Sequence, residues 1–317
     1  MSEECRSDRR VFLLGLSSTV FATRVATAAR SVESVPATNA LPTIPIGEHQ
    51  LTRLIAGWNP IGGYSYLGPT MDRHMKEYFT VDRTVEFLAR CEAQGINAHQ
   101  FDPTDEMVTV LRRRREAGSR MNFICLHSVD SRHGDAPSVV ARTSPIALAH
   151  HGGVTDRLFR EGKAEQVHDY VKRAHDLGVL AGVSTHNPDN LKRMGDEGWE
   201  NDFFMACFYY VTRYSDHPEL LLQKRTVGTA FYVDDPDIMT KVVRQIDKPC
   251  LGFKILAAGR AGFDRDGVER AFEYAFSHIK PSDGVIVGMY PVFRDEIREN
   301  AELTRKFHHL SGRRIDS

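Results

Sequence analysis

The residues able to carry acid–base or metal chemistry recur at one kind of place in this 317-residue chain. Gly178 to Pro188 reads Gly-Val-Leu-Ala-Gly-Val-Ser-Thr-His-Asn-Pro, an uncharged apolar run that ends abruptly in His186-Asn187-Pro188. Comparable runs end in Trp58-Asn59, in His99 and Asp102, in His127, in His150-His151, in Tyr209-Tyr210, in Lys254 and Arg260, and in Tyr290. Titratable groups gathered at the ends of apolar runs make a candidate catalytic rim. Two chemistries suit it, a divalent metal site and hydride transfer. Neutral imidazoles beside a carboxylate are ligands for zinc, manganese, iron or nickel. His99, His127 and His186 are therefore candidate ligands of a divalent metal ion that would activate water or polarise a carbonyl. The candidate catalytic groups are Asp102, His150, His151, Lys254 and Tyr209, with Lys254 as a base or as a Schiff-base nucleophile. Asn59, Trp58, Tyr64, Tyr210 and Tyr290 are candidate substrate contacts, since rim aromatics, Tyr66 among them, suit the face of a sugar. Each has a plainer reading: a histidine satisfied by its neighbours, a lysine paired with Asp102 or turned to solvent, an aromatic packed in the core.

The elements that position these groups repeat as helix, tight turn, strand and polar tip. Glu165–Leu177 has helical spacing, with Val167, Tyr170, Val171 and Ala174 on one stripe. An uncharged run bounded by Gly and Pro reads as a strand buried on both faces. Such strands are expected at 51–57, 96–102, 121–126, 145–149, 178–185, 202–211, 250–257 and 284–288. Helices are expected at 81–94, 105–117, 190–197, 236–246, 267–278 and 295–307, and loops at 130–142 and 212–234. A loop as long as the second is usually a lid or binding segment. Eight strands alternating with helices predict an α/β fold, a (β/α)8 TIM barrel over residues 47–317, whose usual size is ~250 residues and whose active site lies at the C-terminal strand ends.

Composition excludes other classes. A net charge of −1 provides no basic field for nucleic acid. The five cysteines contain no C-x-x-C pair, and Cys125, Cys207 and Cys250 sit in apolar runs, as buried small hydrophobes do. There is neither an H-E-x-x-H motif nor a G-x-G-x-x-G fingerprint; the Gly-rich stretch Gly57 to Gly63 does not open into a dinucleotide-binding helix.

Residues 1–29 differ from the rest. Arg9-Arg10 precedes Val11-Phe12-Leu13-Leu14 and a run too short to span a membrane, and small residues follow at Ala26-Thr27-Ala28-Ala29. The Asp-Arg-Arg-Val-Phe-Leu-Leu stretch resembles a twin-arginine signal. That resemblance implies the twin-arginine export machinery as a partner, a periplasmic or secreted location, and residues 30–46 as a linker. Were the segment only a tail, the protein would be cytoplasmic.

Leu54-Ile55-Ala56-Gly57 with Gly62-Gly63, Gly95-Ile96-Asn97, Gly182-Val183-Ser184, and Val287-Gly288 followed by Glu296-Ile297-Arg298-Glu299-Asn300 resemble the aldo-keto reductase superfamily. The resemblance implies a TIM barrel and an NADP cofactor held at Ser184, Asn187 and Arg260. Of the family's Asp-Tyr-Lys-His set, Asp102 and His150 or His151 fall near the expected positions. No tyrosine follows Asp102 at the expected distance, and His127 stands where the family has lysine. The reading favoured is an exported barrel enzyme using metal- or Lys/His-assisted acid–base chemistry on a small carbonyl or carbohydrate-like substrate, as a lyase, isomerase or hydrolase. An NADP-dependent oxidoreductase and a non-catalytic ligand-binding barrel are the alternatives.

Overall fold

The computed structural model describes residues 40–221, 228–261 and 264–312. The expected signal peptide and most of the expected linker lie outside the described residues. Eight parallel strands close into the expected barrel, in the order β10-β3-β4-β5-β6-β7-β8-β9. They are β3 (Leu54–Gly57), β4 (Ala98–Phe101), β5 (Asn122–His127), β6 (Ala147–His150), β7 (Leu180–Thr185), β8 (Phe203–Cys207), β9 (Cys250–Phe253) and β10 (Gly284–Gly288). Helices follow the strands, among them Val81–Ala93, Asp105–Glu116, Ala164–Asp176, Arg265–His278 and Glu296–Phe307. The helix starts are chemically marked: the side chains of Thr80, Thr104, Asp135, Asn187, Asp264 and Asp295 each accept from a first-turn N–H. Among the described residues no helix is long and apolar enough to cross a membrane.

Two readings change. The expected strand 51–57 is two elements: β2 (His49–Thr52) pairs antiparallel with β1 (Thr43–Ile46), and the chain bends at Arg53 before entering β3. The end of the expected linker is thus a strand of this hairpin. Ile44, Ile46 and Leu51 of the hairpin pack with Ile55, Ala98, Ile124, Ala147, Ala149, Phe203 and Leu251 inside the barrel and plug its N-terminal end. Residues 130–142, expected as loop, include most of the helix Ala136–Thr143, capped by Asp135. A hairpin without a core of its own is held by this plug. Shaving one methyl from the plug, Ile44→Val, is expected to cost about 1 kcal/mol in urea unfolding with no change in the site above.

Arg53 ties the same end together. Its guanidinium donates to the carbonyl oxygens of Asp283 (2.7 Å), His308 (2.7 Å) and Lys280 (3.0 Å) and to Ser311 Oγ (2.8 Å). Burial lowers its pKa to about 10, against the opposing charge of Asp283.

Candidate active site

Strand pleating decides which rim residues meet. Along β4, Ala98 faces the barrel interior and Gln100 the pocket above it, so His99 and Phe101 point outward to the helices. The same alternation turns His127 of β5 and His150 of β6 outward, where both rings pack on Tyr170 of the helix Ala164–Asp176. Three of the predicted chemical groups are therefore behind the barrel wall. His99 Nδ1 meets the Ala56 carbonyl at 2.9 Å, and burial lowers its pKa to about 4. Both ring nitrogens of His127 are engaged, by Tyr170 Oη at 3.0 Å and the Gly134 carbonyl at 2.9 Å. His150 Nδ1 meets Thr155 Oγ1 at 2.8 Å, and its pKa falls to about 3 through burial and the neighbouring His151 and His127. The expected metal set of His99, His127 and His186 is corrected: these rings do not converge. Among the described residues no group of three His, Cys, Asp or Glu side chains is placed to hold a metal ion.

A pocket of about 240 Å³ opens at the C-terminal strand ends. Leu126, Met205, Phe253 and Ile286 border it, on top of the interior core. Its wall carries Gln100, His151, Ser184, His186 and Lys254, together with Tyr290, Arg294, Glu296 and Asn300. Trp58, Asn59, Tyr64 and Tyr66 come from the segment after β3. Of the predicted residues, the pocket thus gathers His151, His186, Lys254, Ser184, Asn59, Trp58, Tyr64 and Tyr290.

The others lie outside the pocket lining. Asp102 is not in the pocket wall. Tyr209 is buried with its ring against Phe231. Tyr210 lies beneath the Arg213 guanidinium and edge-on to His217. Asn187 donates to Asp216 Oδ2 (3.0 Å) and caps the helix Pro188–Asp196. Arg260 donates to the Tyr66 carbonyl (2.7 Å) and stacks over Phe231.

The chemical centre is a chain of three side chains. Asp156 is buried on the helix Gly152–Arg160 (1% exposed) and His186 nearly so (8%). Asp156 Oδ2 accepts from His186 Nδ1 at 2.9 Å and from the His186 backbone N–H at 3.0 Å. Asp156 Oδ1 accepts from Thr185 and, at 3.1 Å, from Asn190. Burial alone would push the Asp156 carboxyl up, but the His186 donors and the Thr185 hydroxyl outweigh it and hold it low. His186 moves downward through burial and the Lys254 charge, opposed by Asp156. It is therefore neutral at pH 7. With its proton on Nδ1 facing the carboxylate, its free Nε2 lone pair faces Lys254 Nζ at 3.4 Å. The ammonium sits 4.6 Å from the Phe253 ring centroid and 4.8 Å from that of Tyr66. His151 shares the pocket; desolvation first, and then the neighbouring His186 and Lys254, lower its pKa to about 4.

The backbone here is strained. Lys254, Tyr66 and Ala258 on the pocket wall adopt φ of 58°, 59° and 53°. A side chain in this left-handed region costs on the order of 1–3 kcal/mol and is characteristic of functional sites. Gly152 begins the Asp156 helix so close to the pocket that a Cβ would lie 2.9 Å from both His186 Cε1 and Ser184 Oγ. Gly152→Ala is therefore expected to displace the His186 ring and to lower activity by roughly 10- to 100-fold. The change is to be read as a shifted His186 ring resonance in NMR with the melting transition retained.

Asp156 and Gln100 were not legible as site residues in the sequence. The available signal was Asp156 on the buried stripe of its helix with Gly152 and Thr155, at a position where a charge needs a partner.

No protein-family profile and no curated protein matches this sequence. Solved structures do. A Pseudomonas aeruginosa protein described as an aldo-keto reductase superposes with a TM-score of 0.50 at 17% identity, covering 83% of this chain and 97% of its own. 3-Deoxy-D-arabino-heptulosonate 7-phosphate synthase from Thermotoga maritima, in a truncated form, gives 0.47 at 14%, with 86% and 92% covered. Dihydropteroate synthase from Xanthomonas albilineans gives 0.47 at 10%, with 87% and 99% covered. At these identities the likeness concerns fold alone, and the fold is the barrel that aldo-keto reductases share.

Proposed function

We propose that this barrel is an enzyme that moves protons on a small carbonyl or polyhydroxylated, carbohydrate-like substrate, with Lys254, His186 and His151 as its acid–base groups. The observation that carries this reading is the Asp156–His186–Lys254 chain opening into a pocket. The carboxylate fixes the imidazole tautomer and steadies any imidazolium that forms. The Lys254 ammonium donates to the substrate oxygen, and neutral His151 accepts the proton from the adjacent carbon. When that proton is delivered to the former carbonyl carbon and the neighbouring hydroxyl gives its proton back to Lys254, the carbonyl has moved by one carbon and both side chains are restored. Proton transfer by a placed side chain contributes about 10²- to 10⁴-fold. The 240 Å³ volume suits a molecule of a few carbons, with Trp58, Tyr64 and Tyr66 offering apolar faces.

The test is solvent-deuterium incorporation next to the carbonyl of glyceraldehyde, dihydroxyacetone and a panel of aldoses and ketoses, followed by proton NMR. Incorporation above buffer, suppressed in His186→Gln, is expected. Equal rates in protein and buffer would return the barrel to the ligand-binding reading.

The oxidoreductase reading is weaker on this chain's own residues. Ser184 lines the pocket, yet Asn187 and Arg260, expected to hold NADP, spend their polar groups on Asp216 and on the Tyr66 carbonyl. His127, where the reductases have lysine, faces away from the pocket. These residues do not fit the cofactor set, and no hydride step is drawn through it.

Export belongs to the same proposal and is supported by Arg9-Arg10 and the apolar run that follows. Replacing both arginines by lysine should leave the protein in the cytoplasmic fraction. Unchanged periplasmic recovery would refute the twin-arginine route.

A further inference from the structure

We propose that Lys254 is a nucleophile that captures the carbonyl carbon of an aldehyde or unhindered ketone as an imine. The proposal deepens the proton-transfer reading and rests on it for the substrate class.

A nucleophile, a base within reach of it, and a third group orienting the base are the geometric signature of covalent catalysis. Here the nucleophile is an amine. Lys254 Nζ lies 3.4 Å from His186 Nε2, and Asp156 locks the other ring nitrogen at 2.9 Å. A lysine that only bound an anion or braced the fold would not need a neutral imidazole lone pair beside it, held by a buried carboxylate. Among the described residues no carboxylate forms an ion pair with Lys254. Phe253 and Tyr66 flank it with ring faces. Its left-handed backbone holds the side chain in the pocket at an energetic cost.

A second observation concerns the carbonyl oxygen. Gln100 lines the same pocket, is 5% exposed, and presents Nε2 without a hydrogen-bond partner among the described residues. A buried donor left unpaired is costly. An oxygen that gains negative charge as the amine attacks would satisfy it.

The step balances. His186 Nε2 takes a proton from Nζ, the nitrogen lone pair forms the C–N bond, and the carbonyl π pair moves to oxygen. One of the two protons left on the nitrogen passes through solvent to that oxygen, giving a neutral carbinolamine whose nitrogen again has a lone pair. His186 returns its proton to the hydroxyl, the C–O bond breaks, and water leaves as the C=N bond forms. No oxidant or reductant is consumed.

The full chain is incubated with glyceraldehyde or dihydroxyacetone and sodium cyanoborohydride, and modified lysines are located by peptide mass spectrometry. Exposed Lys163, Lys172 and Lys192 serve as internal references. Lys254 is expected to be reductively alkylated faster than Lys192 by on the order of tenfold or more. His186→Gln should bring it down to the reference rate, and Lys254→Arg should remove the adduct while circular dichroism stays unchanged. A Lys254 rate no higher than that of Lys192, or one indifferent to His186→Gln, overturns the proposal. The two readings fail separately. Lys254-dependent deuterium exchange without trapping overturns the imine and leaves acid–base catalysis standing. Trapping at Lys254 without exchange supports the imine and overturns the proton-transfer reading.

Discussion

Lys254→Met is expected to reduce protein-catalysed deuterium exchange by about 10²- to 10⁴-fold, the range for loss of a placed acid–base group. The methionine matches the lysine stem as far as Cε and loses only the ammonium with its contacts to the Phe253 and Tyr66 rings, so the melting temperature should fall little. What disappears is the one ammonium group that His186 Nε2 faces at 3.4 Å. Lys254→Arg should not restore activity, because a guanidinium stays charged and neither releases a proton to His186 nor matches its single lone pair. The effect should fall on kcat more than on KM, since the group acts on charge that develops during reaction. A Lys254→Met protein with wild-type exchange would remove the Asp156–His186–Lys254 chain from catalysis altogether.

The second large effect concerns stability. Asp102→Asn is expected to stabilise the protein at pH 8.5 by up to roughly 4 kcal/mol, since each unit of pKa displacement corresponds to about 1.4 kcal/mol. Asp102 Oδ1 is buried and has no hydrogen-bond partner among the described residues. Burial raises its carboxyl to about 7, opposed by Arg132 and by the Trp58 indole, which lies near but outside hydrogen-bond geometry. Its folded pKa is thus above the unfolded value, so the folded state binds more protons between about 4 and 7. The penalty for carrying the charge grows as pH rises through that window and is complete above about 7. Asparagine, neutral at every pH, escapes it, and its advantage should vanish near pH 4.

In the wild type this trend is masked. His99 and His150, lowered to about 4 and about 3, have the opposite sign: the unfolded chain binds their protons first, and stability falls as pH drops below about 6.5. Urea midpoints of wild type and Asp102→Asn at several pH values separate the two. A difference that does not grow from pH 4 to pH 8.5 would show that the Asp102 carboxyl is not perturbed.

The barrel was legible because its evidence is periodic. Eight largely apolar runs, six of them preceded by an expected helix, admit few other packings, and all eight expected strands appear. The hairpin Thr43–Thr52 was not, since its alternation of Ile44, Ile46 and Leu51 is short and follows a segment that reads as linker. The rim residues were recognised as a set, but their sorting was out of reach. In β4, β5 and β6 a one-residue change of register sends a side chain to the opposite face. That parity puts His99, His127 and His150 behind the wall, while Lys254 and His186, just past their strands, enter the pocket. Sequence by itself determined the barrel and the supply of imidazoles and amines at its rim. Only the tertiary structure decided which of them meet, because Asp156 and Lys254 are ninety-eight positions apart, read from their numbers, and become partners through His186 when β6, β7 and β9 take their places around the closed sheet.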